Sequence, residues 1–159
     1  MIDADQVLHI VLVEPEIPPN TGNIARLCAC TGCHLHLVHP LGFDLSDKKL
    51  RRAGLDYWEW LSVEEHQDWP ALRASLDTNR AWYAFSTKAS KSLWDVRYQA
   101  GDVLVFGSET RGLAKDVREQ CTPLIIPMRE DAPVRSLNVS SACAIACYEA
   151  LRCMLAGKR

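Results

Sequence analysis

Residues 103–113 read Val103-Leu-Val-Phe-Gly-Ser-Glu-Thr-Arg-Gly-Leu113, an apolar run typical of a buried strand that enters a loop bounded by two glycines. A helical pattern follows the loop. Open α/β sheets repeat this order of strand, loop and helix, and they hold ligands at the carboxyl ends of their strands. The pattern therefore favours a ligand site at this loop over an ordinary tight turn.

The same loop differs from phosphate-binding loops. Gly107 and Gly112 have the G-x-x-x-x-G spacing, but Leu113 and Ala114 stand where that motif needs Lys and Ser or Thr to hold phosphate and magnesium. The dinucleotide pattern G-x-G-x-x-G is absent as well, and Glu109 would repel a pyrophosphate. An adenosyl ligand without phosphates fits these residues better.

Strand-type and helical stretches alternate along the rest of the chain. Periodicity predicts strands at 7–13, 34–38, 81–86, 103–106 and 124–126. It predicts helices at about 23–31, 46–53, 70–77, 114–120 and 139–155. This order predicts a single α/β domain over residues 1–159, with a mainly parallel sheet and helices on both faces.

The composition excludes several classes of protein. The 159 residues are 48% hydrophobic and 24% charged, which is the average for a globular domain. Lys and Arg number 18 against 20 Asp and Glu, so the net charge is -2 and any RNA binding must be local. The chain begins with acidic residues, no apolar run approaches the roughly 18 residues that span a bilayer, and the cysteines are odd in number. We therefore expect a cytoplasmic protein without a disulfide framework or a membrane partner.

Polar residues cluster after the first predicted strand. Pro18 and Pro19 stiffen the chain there, and Asn20 or Thr21 is positioned to cap the helix that follows. Arg26 lies further along that helix and faces either solvent or the ligand cleft.

Another polar cluster leads into the last helix, which is apolar over most of its circumference. The extended stretch 126–141 enters this helix through Ser136 and Asn138, and it either wraps a ligand or only caps the helix. The helix itself is either deeply buried or shared between the core and a subunit interface. Its two apolar stripes are Val139, Ala142, Cys143, Ala146, Ala150 and Met154, and on another side Ile145, Tyr148, Leu151 and Leu155.

Possible metal ligands crowd into residues 28–39. The spacing of Cys28, Cys30, Cys33, His34, His36 and His39 resembles half of a zinc site. However, Cys28 and Cys30 would lie about 200° apart on a helix. No second C-x-x-C follows, so we expect no metal ion.

A basic run lies near the middle of the chain and continues into an aromatic segment at residues 54–60. It consists of Lys48, Lys49, Arg51 and Arg52. Cations beside aromatic rings suit phosphate contact and base stacking in RNA, and a solvated helix face has the same composition.

Taken together, three segments resemble the three motifs of SPOUT-superfamily RNA ribose 2′-O-methyltransferases in order and spacing. The segments are 20–26, 106–113 and 136–142. Residues 14–20 and 50–57 resemble the small single-domain group that methylates the wobble nucleotide of tRNA. The resemblance covers residues 7–155 and implies a deep trefoil knot in the carboxyl-terminal part and a homodimer formed through helices beside the knot.

The resemblance also implies a set of site residues. S-adenosylmethionine would lie in the knot against Phe85, Gly107, Glu109, Ile126, Ser136 and Leu137. Arg26 of the other subunit would act on the ribose 2′-hydroxyl, as general base or as stabiliser of the alkoxide, with Asn20 and Asn138 positioning it. RNA would be held by Lys48, Lys49, Arg51, Arg52, Arg111 and Tyr148. Many relatives carry proline where this chain has Ser108, which can form the same turn.

The activity implied by this resemblance is 2′-O-methylation of the cytidine or modified uridine at position 34 of tRNA. Two alternatives stay open. One is methylation of another tRNA position or of ribosomal RNA, and the other is a non-catalytic RNA-binding dimer. We expect tRNA as the partner, and neither DNA nor a membrane.

Overall fold

The computed structural model describes residues 7–46, 60–76 and 79–156. In chain order the elements are β1 (His9–Val13), α1 (Pro18–Thr31), β2 (His34–Val38), β3 (Val63–His66), α2 (Trp69–Ser75), β4 (Trp82–Phe85), a short 3-10 helix (Leu93–Asp95), β5 (Val103–Phe106), α3 (Lys115–Glu119), β6 (Thr122–Leu124) and α4 (Val139–Ala156).

The strands form one six-stranded sheet in the order β3-β2-β1-β5-β4-β6, and every pairing between neighbouring strands is parallel. The predicted α/β class with a parallel sheet is therefore confirmed. The chain runs outward from β1 to β2 and β3 on one side, whereas β5, β4 and β6 lie on the other. The order thus reverses between β1 and β5, and loops diverge there to leave a crevice at the carboxyl ends of the strands.

Both faces of the sheet are covered, because its central strands are apolar on both sides. One face packs against α1 and α4 through a core that includes Ile10, Leu12, Leu35, Leu37, Leu104 and Phe106. The opposite face packs against α2 and α3 through Val11, Val38, Val105, Trp69, Leu72 and Val117. Helices on both faces are confirmed by this arrangement.

Strand β3 was not predicted from the sequence. Its residues read Val-Glu-Glu-His, and both glutamates are exposed. Among the described residues the strand pairs with β2 alone and lies at the edge of the sheet, where charged side chains discourage pairing with another chain. An edge strand therefore lacks the apolar alternation on which the prediction relied.

Helix α1 begins five residues earlier than predicted, at Pro18. Proline suits the first turn of a helix because the missing N–H would have no partner there. Asn20 and Thr21 consequently lie inside the first turn, and the prediction that one of them caps the helix is wrong.

Two other predicted elements also differ from the structure. Strand β6 spans Thr122–Leu124 rather than 124–126. The predicted helix at 46–53 lies outside the described residues apart from residue 46.

Helix α4 has one buried side and one exposed side. The stripe with Cys143, Ala146 and Ala150 is buried, whereas Ile145 and Tyr148 are 40% and 52% exposed. The helix is long and apolar enough to cross a bilayer by length and composition alone, so the expectation that no segment reaches that length is wrong. Core helices pass the same test, and α4 packs against α1 and β5. Among the residues that the structure describes, none covers this apolar side, which stays exposed in the single chain.

Candidate active site

A cavity of about 530 Å³ lies at the carboxyl ends of the strands. Its lining comes from the end of β4, the loop after β5, the start of α1 and the segment that enters α4. The structure brings together all six residues predicted to hold the cofactor, which are Phe85, Gly107, Glu109, Ile126, Ser136 and Leu137. Asn20, Asn138 and Arg111 also line this cavity.

Part of the cavity lining is apolar. The rings of Phe85 and Phe106 stack with centroids 4.8 Å apart and planes only 7° from parallel. Ile125, Ile126 and Leu137 also line the cavity. The combined wall suits a ligand with an aromatic or apolar body, and a few polar groups elsewhere in the lining can orient it.

The loop after β5 is a tight turn that requires glycine at two positions. A Cβ atom on Gly107 would overlap the backbone of Gly112 and Leu113, and Gly112 adopts a φ of +67°. Ser108 supports the turn, because its carbonyl accepts from the Gly112 amide at 2.8 Å and its Oγ accepts from the Arg111 amide at 3.3 Å. The backbone of the loop is thereby fixed where it borders the cavity.

The carboxylate of Glu109 is engaged by the segment after β1. Oε2 accepts from the backbone amide of Glu16 at 2.8 Å. Oε1 accepts from the amide of Ile17 at 3.2 Å and from Nδ2 of Asn20 at 3.1 Å. Glu109 borders the cavity as predicted, but its oxygens orient the start of α1.

Glu16 makes the reverse connection to the loop after β5. Its carboxylate accepts from the backbone amide of Thr110 at 3.0 Å and from the Thr110 hydroxyl at 2.7 Å. These hydrogen bonds, with a smaller effect of Arg111, hold the pKa of Glu16 below its ordinary value. The two loops at the reversal point of the sheet are therefore joined in both directions. The sequence does not predict this link, because nothing in the segment 14–20 indicates a contact with a loop 94 residues further along the chain.

The two asparagines predicted to be catalytic touch each other. Asn138 donates from Nδ2 to Oδ1 of Asn20 at 3.0 Å, and Asn20 is only 6% exposed. Oδ1 of Asn138 accepts from the Ser140 amide at 2.9 Å and so caps α4. Of the two residues that could cap this helix, Asn138 does so, and its bond to Asn20 shows that capping is not its only contact. Glu109, Asn20 and Asn138 form one continuous path from the loop after β5 to α4.

Arg26 does not line the cavity of its own chain. It lies on the exposed side of α1, six residues beyond the buried Asn20. Because successive helical residues are about 100° apart, the two side chains leave α1 on different sides. The structure of one chain therefore does not bring Arg26 to Asn20 and Asn138.

The residues predicted to hold RNA have different positions. Arg111 is 65% exposed and pairs with Glu14, its Nη2 lying 2.9 Å from Glu14 Oε2. Tyr148 is on the exposed side of α4. The basic run Lys48, Lys49, Arg51 and Arg52 lies outside the described residues.

Within residues 7–46, 60–76 and 79–156, one group of potential metal ligands is close enough to share an ion. It consists of His36, Glu64 and His66. The cysteine-rich spacing at 28–33 gives no such group there, since Cys28 and Cys33 are buried and Cys30 is exposed. The sequence does not predict this group, because Glu64 and His66 lie on the unpredicted strand β3.

Comparisons with known proteins agree with this geometry. A model of the SpoU rRNA Methylase family matches residues 7–148. A relative from Saccharophagus degradans named tRNA (cytidine(34)-2'-O)-methyltransferase is 53% identical over 149 residues, which cover 92% of this chain and 95% of the relative. These matches include the segments that form the cavity.

Solved structures are similar over the same region. One that concerns the 2-OH methylation of C/U34 on tRNA has a TM-score of 0.90 and 46% identity, and the match covers 96% of this chain and 99% of that chain. The SpoU methyltransferase AviRb from Streptomyces viridochromogenes, in complex with the cofactor AdoMet, has a TM-score of 0.79 and 25% identity. That match covers 93% of this chain and 58% of the other.

Proposed function

The chain belongs to the SpoU methylase family, and from that premise we propose that it methylates the ribose 2′-hydroxyl of the nucleotide at position 34 of tRNA, with S-adenosylmethionine as methyl donor. The observation that carries this proposal is the cavity at the reversal point of the sheet, where all three motif segments meet. The relatives named for this reaction match the chain over nearly its whole length.

The cavity fits the proposed methyl donor. Its volume of about 530 Å³ lies within the usual range for small-molecule sites. The stacked rings of Phe85 and Phe106 and the side chain of Ile126 would cover the adenosyl group, and the glycine loop lets backbone groups approach it closely. When bound, S-adenosylmethionine supplies a methyl group that its positively charged sulfur already activates.

The remaining task for the protein is to align and deprotonate a weak nucleophile. A ribose hydroxyl has a pKa far above 7, so the enzyme must hold it at the donor methyl and help to remove its proton. Each of Asn20 and Asn138 makes one hydrogen bond through Nδ2 and carries a second hydrogen on that nitrogen. We propose that these hydrogens orient the ribose.

Arg26 is the proposed catalytic group, and it requires a second subunit. Its exposed position outside its own cavity supports action on the cavity of a partner. A guanidinium is effectively always protonated, so it stabilises the developing alkoxide, or acts as base only beside a group such as a phosphate. The exposed apolar side of α4, with Ile145 and Tyr148, supports a homodimer.

The dimer surface would also hold the tRNA. Arg111 can exchange its exposed partner Glu14 for a phosphate, since exposed ion pairs contribute little. We propose that Tyr148 and the basic run Lys48, Lys49, Arg51 and Arg52 extend this surface, that the carboxyl-terminal part is knotted as in the family, and that the protein works in the cytoplasm.

Methyl transfer to tRNA tests the function directly. Labelled methyl from S-adenosylmethionine is supplied with unmethylated tRNA, and the modified nucleoside is identified and mapped by mass spectrometry. We expect a 2′-O-methylated nucleoside at position 34 that is lost in Arg26→Ala and kept in Cys30→Ala, one turn further on the exposed side of α1.

Other outcomes would point to the alternatives. Methylation of ribosomal RNA or of another tRNA position would refute the wobble assignment. RNA binding without any binding of S-adenosylmethionine would refute the enzyme and support a non-catalytic RNA-binding dimer.

A further inference from the structure

Three imidazoles form a row across β1, β2 and β3, on the face of the sheet that α2 covers. They belong to His9 of β1, His36 of β2 and His66 of β3. Nδ1 of His9 lies 2.8 Å from Nε2 of His36, and Nδ1 of His36 lies 3.0 Å from Nε2 of His66. None of the three lines the cavity proposed for the methyl donor.

In the absence of an ion, the hydrogen bonds between the three imidazoles all run in one direction, from His9 to His66. Nη1 of Arg80 lies 2.9 Å from Nε2 of His9 and can only donate, so His9 carries its proton on Nδ1. His9 then donates to Nε2 of His36, and His36 in turn donates from Nδ1 to Nε2 of His66. The tautomer of His9 therefore determines which ring nitrogen donates and which accepts in each of these hydrogen bonds.

Glu64 does not fit a hydrogen-bonded row. It pairs in register with His36 across the strands, and its Oε2 lies 3.9 Å from both Nδ1 of His36 and Nε2 of His66. This distance is too long for a hydrogen bond to either nitrogen. This oxygen and the two imidazole nitrogens are instead arranged like three ligands around a common centre.

The size of this triangle matches a metal ion. With sides of 3.0, 3.9 and 3.9 Å, the nearest point equidistant from the three atoms lies in their plane, about 2.1 Å from each. Bonds from zinc to imidazole nitrogen and carboxylate oxygen have this length, and two histidines with one glutamate are a known zinc ligand set. We propose that His36, Glu64 and His66 bind one divalent transition-metal ion, with zinc as the best match.

Binding needs a rearrangement of protons but no net release. His36 must offer the lone pair of Nδ1, so its proton moves to Nε2 and is donated to Nδ1 of His9. His9 then carries its own proton on Nε2 and gives up the hydrogen bond from Arg80, which keeps its bond to the carbonyl of Gly101 at 3.0 Å. His9 thereby becomes the outer partner that orients a ligating imidazole.

An ion could reach this site from solvent, and its binding would stabilise strand β3. His36 and His66 are 1% and 7% exposed, whereas the side chain of Glu64 is 56% exposed. An ion can therefore enter from the side of Glu64, and water can fill its open coordination position. Because β2 is the one strand that β3 pairs with in the described part of the chain, an ion bound to both strands would hold this edge strand in place.

Metal titration of tag-free, chelator-treated protein tests the proposal. Zinc binding is measured by calorimetry and thermal unfolding, and cobalt serves as a spectroscopic substitute. We expect one ion per chain and a rise in Tm with added zinc. Glu64→Gln should weaken binding by at least about tenfold and abolish the rise in Tm.

Strand β3 itself supplies the matched control. Glu65 is the next residue along the strand, and its Oε2 lies 2.8 Å from Nε2 of His39, away from the proposed site. Glu65→Gln should bind zinc as the unaltered protein does. If Glu64→Gln lost its fold, its Tm without metal would show this, and His66→Gln would replace it.

Three results would overturn the proposal. The first is a failure to bind one zinc ion per chain, and the second is equal zinc affinity in Glu64→Gln and the unaltered protein. The third is a cobalt spectrum with a thiolate charge-transfer band, which would assign the ion to cysteines. Methyl transfer by chelator-treated protein is expected to be normal, so the metal site can fail without any bearing on the proposed function.

Discussion

Asn138 donates from Nδ2 to Oδ1 of Asn20 at 3.0 Å across a sequence separation of 118 residues. The amide of Asn20 can accept this bond only because its Nδ2 faces Glu109 at 3.1 Å. Oδ1 of Asn138 meanwhile caps α4. The orientation of each amide is thus fixed by its neighbour, and the path links three loops that are far apart in the sequence.

Asn20→Asp should break this path while keeping the size of the side chain. The new carboxylate cannot donate to Glu109, and the two negative charges repel each other. A shift of the reacting groups by about 1 Å can cost 10²-fold in rate, so we expect methyl transfer to fall by about 100-fold or more. Single-turnover rates provide the measurement. Asn23→Asp, on the exposed side of α1, is the control, and a comparable loss there would point to the helix as a whole.

The link between Glu16 and Thr110 makes a prediction about pH. The hydroxyl of Thr110 is the largest cause of the lowered pKa of Glu16, whose ordinary value is 4.5. A carboxylate with a lowered pKa stabilises the fold above pH 4.5 and loses that contribution as the pH falls through the lowered value. Thr110→Val should raise the pKa of Glu16 towards 4.5, so that the link between the two loops fails at a higher pH.

Carboxyl NMR titration of Glu16 and the pH dependence of methyl-donor binding check this expectation. The exposed Thr122 of β6 lies outside the cavity lining, and Thr122→Val should leave both curves unchanged. An unaltered Glu16 titration in Thr110→Val would contradict the assigned cause.

Two glycines in the chain should respond differently to the same substitution. In Gly107→Ala the new Cβ meets the backbone of Gly112 and Leu113, so the loop must move and methyl-donor binding should be lost. Gly32 follows α1 with a φ of +73° and open space around it. Gly32→Ala should therefore cost only about 1 kcal/mol of unfolding free energy and keep the binding. Calorimetry with S-adenosylmethionine and denaturant unfolding separate the two effects.

Much of the fold could be predicted because β1, β4 and β5 are mostly apolar runs and β2 alternates histidine with apolar residues. The strand β3 could not, since an edge strand needs few apolar residues and Glu64 and Glu65 resemble a loop. The start of α1 could not be predicted, because Pro18 and Pro19 suit a stiff approach to a helix as well as the first turn that they form here.

In the candidate site, too, some residues could be predicted from the sequence and others could not. Resemblance to known motifs identified residues such as Gly107, Asn20 and Asn138, and the structure brings these three together at one cavity. The bonds from Glu109 to the segment after β1 could not be predicted, because no local pattern connects residues 93 positions apart. The same holds for His36 and His66, which become neighbours only through the pairing of β2 with an unpredicted strand.

The proposed role of Arg26 requires that each cavity is completed by the other subunit, and this requirement can be tested by mixing two inactive variants. Arg26→Ala lacks the catalytic group, and Asn138→Ala lacks the positioning group, so each homodimer should be inactive. In a mixed dimer, the intact Arg26 of one subunit meets the intact Asn138 of the other at one cavity, while the second cavity lacks both. Unfolding and refolding an equimolar mixture should therefore restore about a quarter of the unaltered activity, since half of the dimers are mixed and each has one complete site. No recovery in a mixture shown to contain mixed dimers would mean that Arg26 acts within its own chain or not at all.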